Sequence, residues 1–228
     1  KSAYESYEFH LVYQFLHNFV VDMSSFYLDV LKDRLYVSSP TSRARRAAQT
    51  TIYKILSAVL RLMAPVLSFT AEEVWQLVKG EKPESIFLAG FPEKEPDLLS
   101  EDETKKWHDL LKVRNEVLRA LEMKRKENLI GNSLEAVVDI EAKGWAKELL
   151  LEFGDYLWEL FIVSEVNVVD SLAGEGIIDG VEVPEVKIRI RRAPYQKCPR
   201  CWVYSPTVGE GADVCARCRN VVEGLNAT

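Results

Sequence analysis

Phe9, Val12, Leu16, Phe19, Met23, Phe26 and Val30 recur at alternating intervals of three and four, with no Pro or Gly among them. Side chains so spaced share one face of an α-helix, and the pattern predicts a single long helix from about Ala3 to Leu35. His10 and His17 fall inside it without cysteines or clustered acids at ligand spacing, so both read as core-edge or surface histidines. Pro40 disfavours helix at Ser39, and Ser42 is suited to cap a new helix. The stripe Ile52, Ile55, Val59, Leu62 then predicts a second helix from about Arg43 to Met63, ended near Ala64-Pro65. Thr70-Ala71-Glu72-Glu73 reads as a capping box that opens a short third helix, stopped by Gly80. Ser100 with Glu103 caps a fourth, running to about Glu127 with Leu110, Val113, Val117 and Leu121 inward. Its other positions, Arg114, Glu116 and Arg119 among them, predict a solvated face.

The period changes after Gly131. Leu134 to Ile140 suits a strand, Lys143 to Phe161 a helix interrupted near Gly154, and Ser164 to Val169 a second strand. Val186, Ile188 and Ile190 alternate with Lys187, Arg189 and Arg191, which predicts a half-buried strand with one basic face. The loop between them holds Gly174, Gly176 and Gly180 but lacks the remaining glycines and the lysine of a phosphate-binding loop. The fold class is therefore mainly α: an antiparallel helical bundle over 1–128, a small α+β domain over 129–193, and a cysteine-bearing tail over 194–228.

That tail carries the clearest chemistry. Cys198 and Cys201 form one C-x₂-C hook, Cys215 and Cys218 another, and these are all four cysteines of the chain. Each hook is a tight turn that aims two sulfurs at one point, and two hooks close a tetrahedron that zinc accepts without geometric preference. A site with four protein ligands has no open position for a substrate, so one structural Zn²⁺ is the expected occupant. A single iron in the same cage, or two disulfides, are the alternatives. The tail is too short and polar for its own core, so residues from about Tyr195 to Val222 are expected to order only with metal, whose binding is worth roughly 10–16 kcal/mol in such modules.

Charge adds a partner. Lys187 to Arg219 holds eight basic residues against two acids, +6 within a chain whose net charge is −6. Trp202 and Tyr204 lie among those charges, and basic residues interleaved with aromatics suit unstacked bases. Arg43, Arg45 and Arg46 open the second helix, where cations oppose the macrodipole. An anionic partner explains them; salt bridges to Asp29 and Asp33 explain them equally well. The chain has 228 residues, 47% of them hydrophobic, but no apolar run long enough to span a membrane and no signal peptide. Reduced cysteines without a secretion signal fit the cytoplasm. The start at Lys1, without Met, is expected of a piece of something longer or, equally, of a chain from which a tag has been removed.

Several stretches together resemble bacterial-type isoleucyl-tRNA synthetases, in the region after the catalytic core. They are Tyr7-Glu8-Phe9-His10 with Phe26-Tyr27-Leu28-Asp29 and Lys32-Asp33-Arg34-Leu35-Tyr36; Arg45-Arg46-Ala47-Ala48-Gln49-Thr50; Ala64-Pro65-Val66-Leu67-Ser68-Phe69-Thr70-Ala71-Glu72-Glu73-Val74-Trp75; Ile130-Gly131-Asn132-Ser133-Leu134-Glu135-Ala136; and Cys198-Pro199-Arg200-Cys201-Trp202 with Cys215-Ala216-Arg217-Cys218. They keep the family's order and cover nearly the whole chain. The resemblance implies a class I anticodon-binding bundle expected to lack its first helix, a junction domain and a Cys₄ zinc ribbon. It implies that the chain holds the anticodon arm of isoleucine tRNA, as one monomeric segment of a longer synthetase, with no part for DNA or a membrane. Neither a HIGH-type nor a KMSKS-type motif is present, and the editing domain is missing. ATP binding and isoleucine attachment are thus expected of the full-length enzyme, and no catalysis of this chain alone. The expected RNA contacts are Arg43, Arg45, Arg46, Arg189, Arg191, Arg192, Arg200, Trp202 and Arg217. The alternative function is a zinc-ribbon module that docks proteins without RNA specificity.

Overall fold

The computed structural model describes residues 1–95, 100–209, 211 and 213–226. It divides into two compact units, Lys1–Tyr36 with Pro40–Pro96, and Val37–Ser39 with Asp97–Thr228.

The first unit is helical: α1 (Ser2–Glu5), α2 (Phe9–Asp22), α3 (Leu28–Tyr36), α4 (Arg43–Met63) and α5 (Ser68–Leu77). The single helix expected from Ala3 to Leu35 is interrupted twice. Tyr7 takes a left-handed conformation at φ 60°, and the Ser6 hydroxyl bonds to the Ser2 carbonyl and the Glu8 carboxylate. Such local side-chain bonds offer the backbone an alternative to helix. The break lets the Tyr4 hydroxyl donate to the Leu62 carbonyl at 2.5 Å and its ring meet Phe91 at 5.2 Å. Between α2 and α3, Met23–Tyr27 forms one π-helical turn, a one-residue insertion that the continuous apolar spacing conceals. Helix α4 begins where its cap predicts, Ser42 accepting from the Arg45 N–H.

The capping box expected at Thr70 is not formed. Helix α5 starts three residues earlier, and its N-cap Leu67 makes no side-chain bond. Glu72, the residue before the box's Glu73, reaches across to accept from the Ile86 N–H at 3.0 Å and the Ser85 hydroxyl at 2.9 Å. Trp75 Nε1 donates to the Pro83 carbonyl at 3.0 Å. These bonds fold the loop after α5 back over it and complete a core of Leu60, Ala64, Ala71, Trp75 and Ile86. The helix ends at Leu77, three residues before Gly80, with Val78 already extended.

The second unit contains α6 (Glu101–Lys126), β1 (Ala136–Ala142), α7 (Gly144–Glu152), α8 (Leu157–Phe161), β2 (Glu165–Val169), β3 (Ile177–Asp179) and β4 (Val186–Arg192). The strands form one sheet in the order β2-β1-β4-β3. β1 and β2 run parallel across the α7–α8 crossover, while β4 is antiparallel to β1 and β3. Helix α6 begins at its Ser100 cap and packs against β4. Its stripe Leu110, Val113, Val117 and Leu121 is buried, as are Val138, Ile140, Ile188 and Ile190 of the sheet. Among the described residues no helix is long and apolar enough to cross a membrane.

Two residues expected on the solvated face of α6 are buried instead. Arg114 Nε donates to the Leu160 carbonyl at 3.0 Å. The Glu116 carboxylate accepts from the N–H groups of Val181 at 2.8 Å and Glu182 at 2.5 Å. Burial pushes its pKa up, but Arg119 and these N–H groups outweigh that and hold it below the usual value. The turn it grips needs Gly180, where a Cβ would lie 2.0 Å from the Val183 carbonyl oxygen. A spacing rule cannot tell a charged side chain facing water from one facing a loop's unpaired amides.

The other face of β1 centres on Asp139. It accepts Arg191 Nε at 2.7 Å and Arg191 Nη2 at 2.9 Å, Arg189 Nη2 at 3.1 Å, and Asn167 Nδ2 at 3.1 Å. The Arg191 guanidinium, aided by Asn167 and Arg189, holds the Asp139 carboxyl at about 2 against its burial. Because the folded value lies below the unfolded one, the stabilisation is complete above the ordinary carboxylate range and is lost as pH falls toward 2. Asp139→Asn is expected to lower unfolding stability by roughly 1–2 kcal/mol at pH 7, discounted for its half-exposed arginine partners. In chemical denaturation the gap from the unsubstituted chain should close between about pH 4 and pH 2.

Candidate metal centre

β4 leads into a small hairpin, β5 (Gln196–Lys197) paired antiparallel with β6 (Tyr204–Ser205). The first hook is its tip. Cys198 N–H donates to the Val203 carbonyl at 2.9 Å and Trp202 N–H to the Cys198 carbonyl at 2.8 Å. Trp202 takes φ 67°, a left-handed turn that lets the chain double back with both sulfurs on one side. The second hook opens a helix, α9 (Ala216–Asn226), not a second hairpin. Thr207 Oγ1 accepts from the Ala216 N–H at 3.0 Å at its start, and Cys218 sits in the first turn. The Cys215 N–H points at Cys198 Sγ, 3.4 Å away.

The hooks converge. The four Sγ atoms lie within 4.8 Å of one another, and Cys201 Sγ is 3.8 Å from Cys215 Sγ. A zinc–sulfur bond of about 2.3 Å gives a tetrahedron with edges of about 3.8 Å, whereas disulfide sulfurs stand about 2.05 Å apart. All four thiols are buried. Burial pushes the Cys198 thiol up, but the N–H groups of Cys201, Cys215 and Arg200 bring it down to about 6. Burial holds Cys201 and Cys218 above the usual thiol value. A cage of aimed donors around buried thiols, of which Cys201 and Cys218 resist ionisation on their own, is matched to a cation that ionises them together. The donor set and spacing fit one structural zinc.

The expected RNA-contacting residues fall into three settings. Trp202 is 61% exposed, with Lys197 Nζ 5.3 Å from its ring centroid. Arg43 and Arg46 are exposed at the start of α4, and Arg45 is half-buried there; Asp29 is paired with Lys32 at 2.6 Å. Arg189 and Arg191 are drawn onto Asp139, and Arg192 lies 3.5 Å from Glu135. Arg200 and Arg217 turn inward. Arg200 Nη1 donates to Cys218 Sγ at 3.4 Å and its Nη2 to the Val37 carbonyl at 2.8 Å. The Arg217 guanidinium lies 4.9 Å from the Trp158 ring centroid. Spacing gave no sign of three further participants. Val37 packs among the cysteines. Ser164 Oγ donates to the Leu134 carbonyl and accepts from the Tyr204 N–H at 2.7 Å. Trp158, Ser164 and Arg217 line a cavity of about 280 Å³ beside Cys201 and Cys215.

Residues 1–141 match the family described as the anticodon-binding domain of tRNA ligase. Residues 196–221 match a zinc finger found in FPG and IleRS. An isoleucine–tRNA ligase of Syntrophotalea carbinolica is 48% identical over 227 residues, which are 99% of this chain and 24% of that protein. Those of Natranaerobius thermophilus and Moorella thermoacetica are 43% and 42% identical, over 98% of this chain and 25% of each relative. The chain thus spans about a quarter of the length of the curated relatives it matches.

The few apolar residues around the thiols, Val37, Val203, Val208 and Val214, are too little to order the module. Stripping zinc with a chelator at neutral pH is expected to abolish amide protection over 196–222 while β1 and β4 stay protected. Hydrogen exchange read by mass spectrometry checks this, and unchanged protection of the hairpin would show that the metal is dispensable.

Proposed function

The chain belongs to the family of anticodon-binding domains of tRNA ligases, and from that we propose that it is the part of an isoleucine–tRNA ligase that holds the anticodon arm of isoleucine tRNA. The observation that carries the reading is the pairing of two matches in one chain: the helical domain over 1–141 and the IleRS-type zinc finger over 196–221. Attachment of isoleucine with ATP belongs to the remainder of the longer polypeptide, in the cytoplasm, and the present chain supplies recognition without chemistry.

In this reading Cys198, Cys201, Cys215 and Cys218 hold one zinc, which fixes the shape of the tip. Trp202 is the base-stacking surface, with Lys197 beside it for phosphate; its exposure and its place at the tip support that role. Stacking of one base on an aromatic ring is worth about 1–3 kcal/mol. Arg43, Arg45 and Arg46 approach backbone phosphates at the start of α4, and Arg192 does so at the end of β4. Arg189 and Arg191 offer phosphate only what Asp139 leaves of their charge, so their contribution is the smaller one. The zinc finger's kinship with a synthetase type favours this reading over a free-standing protein-docking ribbon.

Binding of the zinc-loaded chain to an isoleucine anticodon stem-loop, against the same stem with another anticodon, tests the proposal by fluorescence anisotropy at two salt concentrations. A preference for the isoleucine loop is expected, with affinity falling as salt rises because phosphate contacts release counterions. Trp202→Ala is expected to weaken binding roughly 5- to 100-fold, in line with the stacking range, with zinc content unchanged. Equal, salt-insensitive binding or no binding at all would count against the reading, and zinc loss in the Trp202 variant would make that side chain structural.

A further inference from the structure

The two arginines inside the hooks occupy equivalent places. Arg200 is the third residue of Cys198–Cys201, and Arg217 the third of Cys215–Cys218. Each reaches the last cysteine of the opposite hook. Arg200 Nη1 donates to Cys218 Sγ at 3.4 Å, and Arg217 lines the same cavity as Cys201, where its charge pulls that thiol down against burial. Each also has a second hold. The Arg217 guanidinium lies over the Trp158 ring, which fixes its plane, and Arg200 Nη2 donates to the carbonyl of Val37, itself buried among the four cysteines.

Charge makes the crossing meaningful. Four thiolates around one Zn²⁺ leave two uncompensated negative charges in a buried place, which is costly unless they are paired. Guanidinium carries a permanent charge and several donors in a fixed plane, and it is less strongly hydrated than ammonium. Two guanidiniums on two of the four sulfurs neutralise the cage and satisfy sulfur lone pairs.

We propose that Arg200 and Arg217 are crossed positioning residues of the metal site, which balance the charge of the zinc-loaded cage, and that Arg200 also ties that cage to the backbone at Val37. The proposal rests on the structural-zinc reading and removes both arginines from the expected RNA contacts. Partners one shell out from a metal typically change affinity 10- to 100-fold when they are lost.

The test uses the full 228-residue chain and its variants Arg200→Met, Arg217→Met, the double variant, and Arg200→Lys and Arg217→Lys. Zinc content is measured by atomic emission, and zinc release by transfer to a chromogenic chelator. Each Met variant is expected to release zinc about ten-fold faster or more, the double variant faster still, and the Lys variants in between, because they keep the charge and lose the fork. Hydrogen exchange at 37–39 should rise in Arg200→Met and not in Arg217→Met. A wild-type chain that holds no zinc would overturn the metal reading. A wild-type chain that holds one zinc, with release unchanged in both Met variants, would overturn the arginine assignment alone. If a Met variant binds no zinc at all, its Lys counterpart decides: release at the wild-type rate shows that charge suffices, whereas failure of both with β1–β4 still protected shows that the fork is needed. At saturating zinc, the salt dependence of stem-loop binding should match wild type. A slope reduced by about one per arginine, with zinc release unchanged, would return them to the phosphate backbone.

Discussion

Four sulfurs brought within 4.8 Å are the constraint on which the C-terminal module depends. Among the described residues, the apolar side chains packed on the cysteines are Val203, Val208 and Val214 of the module itself, joined by Val37. A cluster of that size buries too little area to repay the ordering of a thirty-residue segment, which costs on the order of 1–2 kcal/mol per residue. Cross-linking through a metal replaces the missing core. It also explains why the backbone accepts a left-handed Trp202: a hairpin tip shaped to aim sulfurs cannot also satisfy side-chain preference.

The module is attached by polar bonds more than by apolar packing. Ser164, at the entrance to β2, receives the Tyr204 N–H and gives its proton to the Leu134 carbonyl, so one hydroxyl links the hairpin to the segments leading into β1 and β2. Ala193 N–H donates to the Glu135 carbonyl at 2.7 Å where β4 ends. Glu116 on α6 and Asp139 on β1 repeat the theme, each a buried carboxylate that gathers donors from segments distant in sequence. Such bonds carry direction as well as energy. They fix where the tip leaves the sheet in a way that non-directional apolar burial would not.

Legibility tracked the range of the interactions. Helices α4 and α6 were readable to within a residue because Ser42 and Ser100 cap through bonds three residues long. The alternation of Val186, Ile188 and Ile190 and the two hooks were readable for the same reason. The features that could not be read were long-range. Tyr4 reaching Leu62, Glu72 reaching Ile86 and Glu116 gripping a turn sixty-odd residues away are contacts of that kind. The grouping of α6 with the sheet arises similarly, because Arg114 and Glu116 look in sequence like residues made for water. At the candidate site the convergence of the four cysteines was legible in their spacing, while the partners of the two arginines were not.

Those arginines change how the positive tip is understood. The count of +6 between Lys187 and Arg219 treats the cysteines as neutral and every guanidinium as outward-facing. Four thiolates and one Zn²⁺ subtract two charges, leaving about +4. Asp139 draws on two of the guanidiniums, Glu135 stands near a third, and the sulfurs face two more. The field that a polyanion meets is therefore weaker and more local than composition implies. A weak general field limits indiscriminate adhesion to any phosphate backbone. The feature that remains prominent at the tip is a flat exposed indole beside one lysine. In the proposed function that surface would discriminate by whether a base can be unstacked and presented to it, a property of loops more than of duplexes. Neutralising most of the positive charge internally thus shifts the proposed recognition from attraction toward shape.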